Sequence, residues 1–355
     1  MKKTNGTMRK KFLSAVGVVC TAALLFTGCG ANQGVVCTAA LLFTGCGANQ
    51  ISETGAEKND KVYKIGVTQY ADHPSLDNCR EGFIQGLANE GFKEGENIEI
   101  ETVNAQAEMS KATQIAQTFA SAGKDLVCGI ATPSAQALYA SCAEKNIPVI
   151  FNAISDPVAA KLAKSETEAL PGITGISDKL PVEDQLKLIR EILPDAKKIG
   201  IIYTTGEANS VSTIEEYKKL APTYGFEIVD KGITKQAEIP QVMDVILTQV
   251  DCISNLTDNT VVAALGVVLE KANAAKIPVF GSEEEQVKNG CVASAGLDYV
   301  KLGVQAGEMA AKVLKGTKID TIPFETLKET KYTFNEDAAK ALGITISAET
   351  LAKAK

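Results

Sequence analysis

Several short stretches bring hydroxyl, amide and carboxylate side chains to points where an apolar run gives way to helical spacing. After the run Leu126-Val127-Cys128-Gly129-Ile130, Thr132 and Ser134 flank a proline placed where a helix would begin. Asn209 and Ser210 stand at a corresponding junction further on, and Thr257-Asp258-Asn259-Thr260 repeats it around Asn259. Gln69, Tyr70 and His73 lie in the loop after an earlier apolar run, and Ser155 and Asp156 follow the run at 147–151. Glu283 and Asp298 are carboxylates beside later turns. Helix amino termini offer N–H groups to an anion, and carboxylates accept hydrogen bonds from a cation, so the pattern suits noncovalent capture of a small polar solute. Each residue also has a plain reading. The hydroxyl and amide residues serve as ordinary N-caps, Asp156 and Asp298 as solvated loop carboxylates, and His73 as turn filler. Glu283 opens a run with Glu284 and Glu285 that suits solvent.

Bond-breaking chemistry has little to work with. There is no G-x-G-x-x-G after the first strand, no phosphate-binding G-x-x-x-x-G-K-[ST] and no H-E-x-x-H. The chain's single histidine limits acid–base and zinc schemes, and no basic partner can be placed for a nucleophilic serine. No catalytic residue, metal or cofactor is therefore expected.

The elements that must position these residues follow a strand–helix rhythm. Strands are expected at 62–67, 98–103, 126–130, 147–151 and 173–176, with helices at 77–89 and 111–122 and a third after Ser134. Then the order restarts. Lys64-Ile65-Gly66-Val67 is echoed by Lys198-Ile199-Gly200-Ile201, and Gly91-Phe92 by Gly225-Phe226. Asp125-Leu126-Val127 is echoed by Asp251-Cys252-Ile253, and Ile147-Pro148-Val149 by Ile277-Pro278-Val279. Four echoes in one order imply an α/β protein of two doubly wound parallel-sheet lobes. A strand at 292–296, an amphipathic helix at 299–315, short strands and a helix-prone tail complete the chain.

At 355 residues two lobes are the natural expectation. The formal net charge is -7, yet Lys2, Lys3, Arg9, Lys10 and Lys11 all precede the first acidic residue, Glu53. Of 36 basic residues these five belong to the amino terminus, so 31 face 43 acidic ones in the remainder. An acidic body argues against nucleic acid as a partner. The basic start, the apolar segment at 12–26 and Thr27-Gly28-Cys29 read as a secretion signal with a lipidation site. GVVCTAALLFTGCGANQ then occurs twice, at 17–33 and 34–50, so Cys29 and Cys46 are both candidate lipidation sites, with Cys29 ranked first. A tether follows to residue 61. The five later cysteines are widely spaced and read as small buried hydrophobes.

The lipidation signal, the repeated lobes and the stretches IGVTQYADHPSLDNCREGF, IATPSAQ, NAISDPV, PGITGISD, LTDNTV, IPVFGSEEEQVKNG and GLDYVKLGVQAGEMAAKVLKG carry a family resemblance. Together they resemble substrate-binding lipoproteins of bacterial ABC transporters with the type I periplasmic-binding-protein fold, and are similar to the tryptophan- and tyrosine-binding members. The resemblance implies a ligand cleft between the lobes and three crossings, near 176–179, 297–299 and 326–331. The lobes would then comprise 62–177 with 298–327 and 178–297 with 328–355. It also implies a monomer, tethered to the outer face of the membrane by lipid, that delivers a small molecule to a permease and its ATPase. An aromatic or other hydrophobic amino acid is the first choice of ligand, with sugars, purines and a purely sensory role as alternatives. Under this resemblance Gln69, Tyr70, His73, Thr132, Ser134, Ser155, Asp156, Asn209, Ser210, Asn259, Glu283 and Asp298 become expected ligand contacts.

Overall fold

The structure is a computed structural model that describes residues 61–354. The leader, its repeated copy, Cys29, Cys46 and nearly all of the tether lie outside these residues.

The first part alternates β1 (Tyr63–Gln69), α1 (Pro74–Asn89), β2 (Ile98–Asn104), α2 (Met109–Ser121), β3 (Leu126–Ile130), α3 (Thr132–Cys142) and β4 (Val149–Asn152). A small hairpin, β5 (Ala163–Ser165) and β6 (Glu168–Ala169), precedes β7 (Ile173–Ser177). The second part runs through α4 (Val182–Ile192), β8 (Lys198–Thr204), α5 (Ala208–Leu220), β9 (Glu227–Ile233), α6 (Ile239–Ile246) and β10 (Cys252–Ser254). It continues with α7 (Asn259–Val262), α8 (Leu265–Ala274), β11 (Val279–Phe280), α9 (Glu284–Lys288) and β12 (Ala293–Gly296). Last come α10 (Tyr299–Leu314), β13 (Glu325–Thr326), β14 (Lys331–Phe334), α11 (Glu336–Ala341) and α12 (Ala348–Leu351).

Lobe 1 holds a parallel sheet of six strands in the order β13-β7-β4-β3-β1-β2. Every residue of β3 is buried, as befits a central strand covered by helices on both faces. Lobe 2 holds the parallel order β11-β10-β8-β9. Hydrogen bonds from Val292 N to Val279 O (2.8 Å) and Gly281 N to Ala293 O (3.0 Å) continue that sheet onto β12, which pairs with β14. The two lobes thus share one strand order. They differ at its end: β13 joins β7 in parallel, whereas β14 joins β12 antiparallel. The alternation of strands and helices implies parallel sheets alone. Strand β14 departs from this because it enters from the other lobe without a crossover helix, which parallel pairing within one lobe requires.

The sequence echoes mark equivalent joints. Asp125 accepts a hydrogen bond from Lys64 N (2.8 Å), and Asp251 accepts one from Lys198 N (2.8 Å). Val127 N donates to Pro148 O and Ile253 N to Pro278 O, both at 2.9 Å. Each aspartate holds the start of its lobe's first strand, and each Ile-Pro-Val segment begins the strand two places along.

The chain passes between the lobes at 178–181, 297–298 and 327–330. After the second passage α10 packs on α1 of lobe 1. A Cβ added at Gly82, Gly86, Gly303 or Gly307 would meet a backbone oxygen of the opposite helix at 2.2–2.3 Å, so only glycine allows this approach. The apolar core of lobe 1 accordingly includes Leu302, Ala306 and Ala310 beside Phe83 and Leu87. Cys79, Cys128, Cys142, Cys252 and Cys291 are all free and buried. Among the described residues no helix is long and apolar enough to cross a membrane.

Candidate functional site

The carboxyl ends of both sheets face a cavity between the lobes, with about 340 Å³ of atom-free space, its solvent-facing part included. Lobe 1 lines it with His73, Ser75 and Leu76 at the start of α1, Ala131 and Thr132 at the start of α3, and Ala153 and Ser155 after β4. Lobe 2 contributes Asn209 from α5, Thr257, Asn259 and Val262 around α7, and Glu283 and Gln286 around α9. Asp178, on the first passage between the lobes, and Tyr299, just after the second, complete the lining.

Thr132 has a reason to stand there. Strand β3 ends at Ile130, Ala131 turns the chain, and the first turn of α3 leaves N–H groups without helical partners. The Thr132 side chain is 2 % exposed, and its Oγ1 has no hydrogen-bond partner in the protein. The same holds for Asn209 Oδ1, from a residue 4 % exposed in the opposite lobe, and for His73 Nδ1. Buried polar groups are nearly always satisfied, so unpaired atoms gathered on one cavity leave room for a partner from outside the chain.

The electrostatics are one-sided. Asp178 is buried and accepts hydrogen bonds from Ser155 Oγ (3.0 Å) and Tyr299 Oη (2.7 Å). Burial raises its pKa despite those two donors. Glu283 is also buried. It caps α9 by accepting from Glu285 N (2.7 Å) and Gln286 N (3.0 Å), and burial pushes its pKa up to about 7. Behind the lining, Glu207 accepts from Asn259 N (3.1 Å), Asn259 Nδ2 (2.6 Å), Thr260 N (3.2 Å) and Thr260 Oγ1 (3.0 Å). Burial, then the nearby Asp258, raise its pKa. Asp258 accepts from Thr204 N (2.6 Å), Thr204 Oγ1 (2.8 Å), Ser210 Oγ (2.7 Å) and Val261 N (2.9 Å). All these donors are neutral. His73 brings no compensating charge: it is only half-buried by surface area but packed about by protein atoms, and burial drops its pKa to about 4.

Of the twelve residues singled out in the sequence, the fold brings six to the cavity: His73, Thr132, Ser155, Asn209, Asn259 and Glu283. The other six stand behind or beside it. Gln69 organises the loop after β1, donating to Ala71 O (2.8 Å) and accepting from Arg80 Nη1 (2.9 Å). Tyr70 donates to Ala107 O (3.1 Å); burial, then Glu207 and Asp258, push its pKa to about 12. Ser134 lies 3.5 Å from Thr68 Oγ1 inside lobe 1, and Ser210 is held by Asp258. Asp156 accepts from Ser212 Oγ (2.5 Å) across the lobes, outside this cavity. Asp298 caps α10 through Lys301 N (3.0 Å) and meets Lys331 Nζ at 3.2 Å. Burial opposes its ionisation, but these two partners hold its pKa below the usual range. Sequence reasoning passed over Asp178, Ser75, Gln286 and the two alanines; only Asp178 left a usable signal, as an acid on an expected crossing.

The lobes touch directly. Besides the Asp156–Ser212 contact, Asn78 Nδ2 of α1 donates to Glu285 Oε1 of α9 at 3.3 Å, and His73 faces Asn259 across the cavity.

Residues 64–355 match the model of the ABC transporter substrate binding protein family, and the chain belongs to that family. It is 38 % identical over 333 residues to a tyrosine-binding protein of Clostridioides difficile strain R20291, covering 94 % of this chain and 92 % of that one. Among solved structures, the ABC domain from Streptococcus pneumonia in complex with L-Trp is 35 % identical with a TM-score of 0.80, over 83 % of this chain and 99 % of its own. The ligand-free, open structure of a substrate binding protein with adhesive properties from Clostridium difficile is 40 % identical, yet its TM-score is 0.63 over 81 % of this chain and 97 % of its own. The relative with higher identity superimposes less well. In this chain the direct contacts Asn78–Glu285 and Asp156–Ser212 hold the lobes against each other, a closed disposition of the cleft.

Proposed function

We propose that this protein is an extracytoplasmic lipoprotein, anchored through Cys29 or Cys46, that captures a free amino acid with an aromatic or other hydrophobic side chain and hands it to an ABC permease and its ATPase. The observation that carries the ligand class is the charge of the cavity. Two buried carboxylates, Asp178 and Glu283, line it with only neutral donors, and the unpaired Thr132 Oγ1 sits at a helix amino terminus opposite them. An ammonium group offsets the first, and a carboxylate suits the second. A sugar or a purine offers no such pair of opposite charges. Leu76, Ala131, Ala153 and Val262 supply the apolar contact for a side chain.

In this reading the protein acts as a monomer and binding is a hinge equilibrium. Ligand interacts with both lobes only when they are closed, so it shifts the population towards the closed form. That form is the one the permease receives. Titration calorimetry of the purified domain lacking the leader, against L-tyrosine, L-tryptophan, a hexose and a nucleoside, tests the assignment. Binding of an amino acid alone supports it; binding of the hexose or nucleoside alone overturns it.

A further inference from the structure

Among the described residues, seven other than glycine have positive φ. Five of them lie in turns or at helix ends: Gln106, Ala107, Asn146, Lys161 and Lys276. The remaining two, Ala131 (φ 73°) and Ala153 (φ 59°), directly follow the paired strands β3 and β4. In that pairing Ile130 stands opposite Asn152, and Ala131 N donates to Asn152 O at 3.0 Å, so the alanines are neighbours at the carboxyl end of the sheet. Ala131 has ψ 152°, a combination that glycine adopts freely and residues bearing a Cβ avoid. Both alanines are buried, and both line the cavity.

Glycine at either position would trace the same backbone without the steric penalty. All that alanine adds is a methyl group, on two residues that line the cavity. Strain of this kind persists where the surroundings use it. We infer that the methyl groups of Ala131 and Ala153 form the floor on which the apolar part of the ligand rests, and that they set how large a ligand the closed cleft accepts. The inference rests on the ligand-binding reading above and adds the residues that decide size.

The test compares Ala131→Gly and Ala153→Gly with Lys161→Gly, a positive-φ position that is exposed and outside the cavity. The readouts are the ligand-free melting temperature and the calorimetric affinities for L-tyrosine and L-tryptophan. All three variants are expected to melt about 2 °C higher, because a strained backbone is relieved. Only the two cavity variants should shift the ratio of the two affinities, by about tenfold towards the bulkier L-tryptophan, as one methyl's worth of space opens beneath the ligand. Higher melting with both affinities within about twofold of wild type overturns the proposal, as does an equal loss for both amino acids. If the wild-type protein binds neither, the aromatic amino-acid reading falls and takes this inference with it. If the wild type binds and the cavity variants do not change preference, only this inference falls.

Discussion

The two lobes share a strand order, yet they treat their helix amino termini in opposite ways. In lobe 1 the first turn of α3 contains no acidic residue, and Thr132 Oγ1 is left without a partner. In lobe 2 the corresponding junctions are filled from within. Glu207 caps the region where α5 and α7 meet, and Asp258 caps α7 while also holding Thr204 and Ser210. An internal carboxylate satisfies the N–H groups of a helix and cancels its positive end. One lobe therefore keeps its amino terminus available to an outside anion, while the other has spent its own and presents acids such as Glu283 instead. The shared strand order makes two similar walls; the placement of a few carboxylates gives the cleft a direction.

The largest effect expected from breaking this contrast is on stability. Asp258→Ala removes an acceptor from four buried donors, and should lower stability by about 3 kcal/mol or more, measured by urea unfolding. Ser134→Ala in lobe 1, with its single long contact to Thr68, should cost well under half of that. Comparable losses would mean the lobes are not specialised. Next in size is Glu283→Gln, which keeps the shape but removes the charge offered to an ammonium group. Calorimetry should show affinity for the amino acid falling by about 10–100-fold with a near-normal melting curve. An unchanged affinity would remove Glu283 from cation recognition.

A smaller effect should come from pH. His73 sits in lobe 1 against Asn259 of lobe 2, near Asp72 of its own loop and Asp77 of α1, and with Glu283 on the same cavity. Its pKa is about 4 in the closed form, because burial disfavours the cation. In an open form exposed to water it returns to about 6.5. A lowered basic pKa means that closure is fully favoured above pH 6.5 and weakens as the pH falls from there towards 4. Glu283, raised by burial, pulls the other way only while no cation faces it. Affinity at pH 5.5 should thus be about tenfold below that at pH 7.5, and His73→Gln should flatten the profile. A profile that is already flat in the wild type would exclude this coupling. The smallest effect is expected of Thr132→Val. It removes an unpaired buried hydroxyl, so the ligand-free protein should melt at the same temperature or slightly higher, while affinity falls by about five- to tenfold. A loss of stability instead would make Thr132 a structural cap.

Much of this architecture was legible because repeated chemistry leaves repeated residues. Asp125 and Asp251 do the same job at the start of two first strands, and the run Leu126–Ile130 is apolar throughout because helices cover both its faces. Thr132, Asn209 and Asn259 could be found from capping chemistry, which is local. Membership of the cavity is not local. Asp178 and Asp298 both stand on passages between the lobes, and nothing in their neighbours tells them apart. The fold turns Asp178 inwards between Ser155 and Tyr299, and turns Asp298 towards Lys331 at the head of α10. That difference depends on how three connections pass side by side, a geometry with no periodic trace in sequence. Ala131 and Ala153 were silent for a similar reason, since a small apolar residue announces neither its backbone angles nor the space before it.

The glycine contact between α1 and α10 bears on how the protein comes into being. Lobe 1 cannot close its core until residues 299–314 have been made, and lobe 2 waits for β14 at 331–334 to seal its sheet. Neither half is finished until α10 and β14, respectively, have left the ribosome. A nascent chain whose closing elements come so late stays loosely structured until they arrive, and both cores then seal almost together.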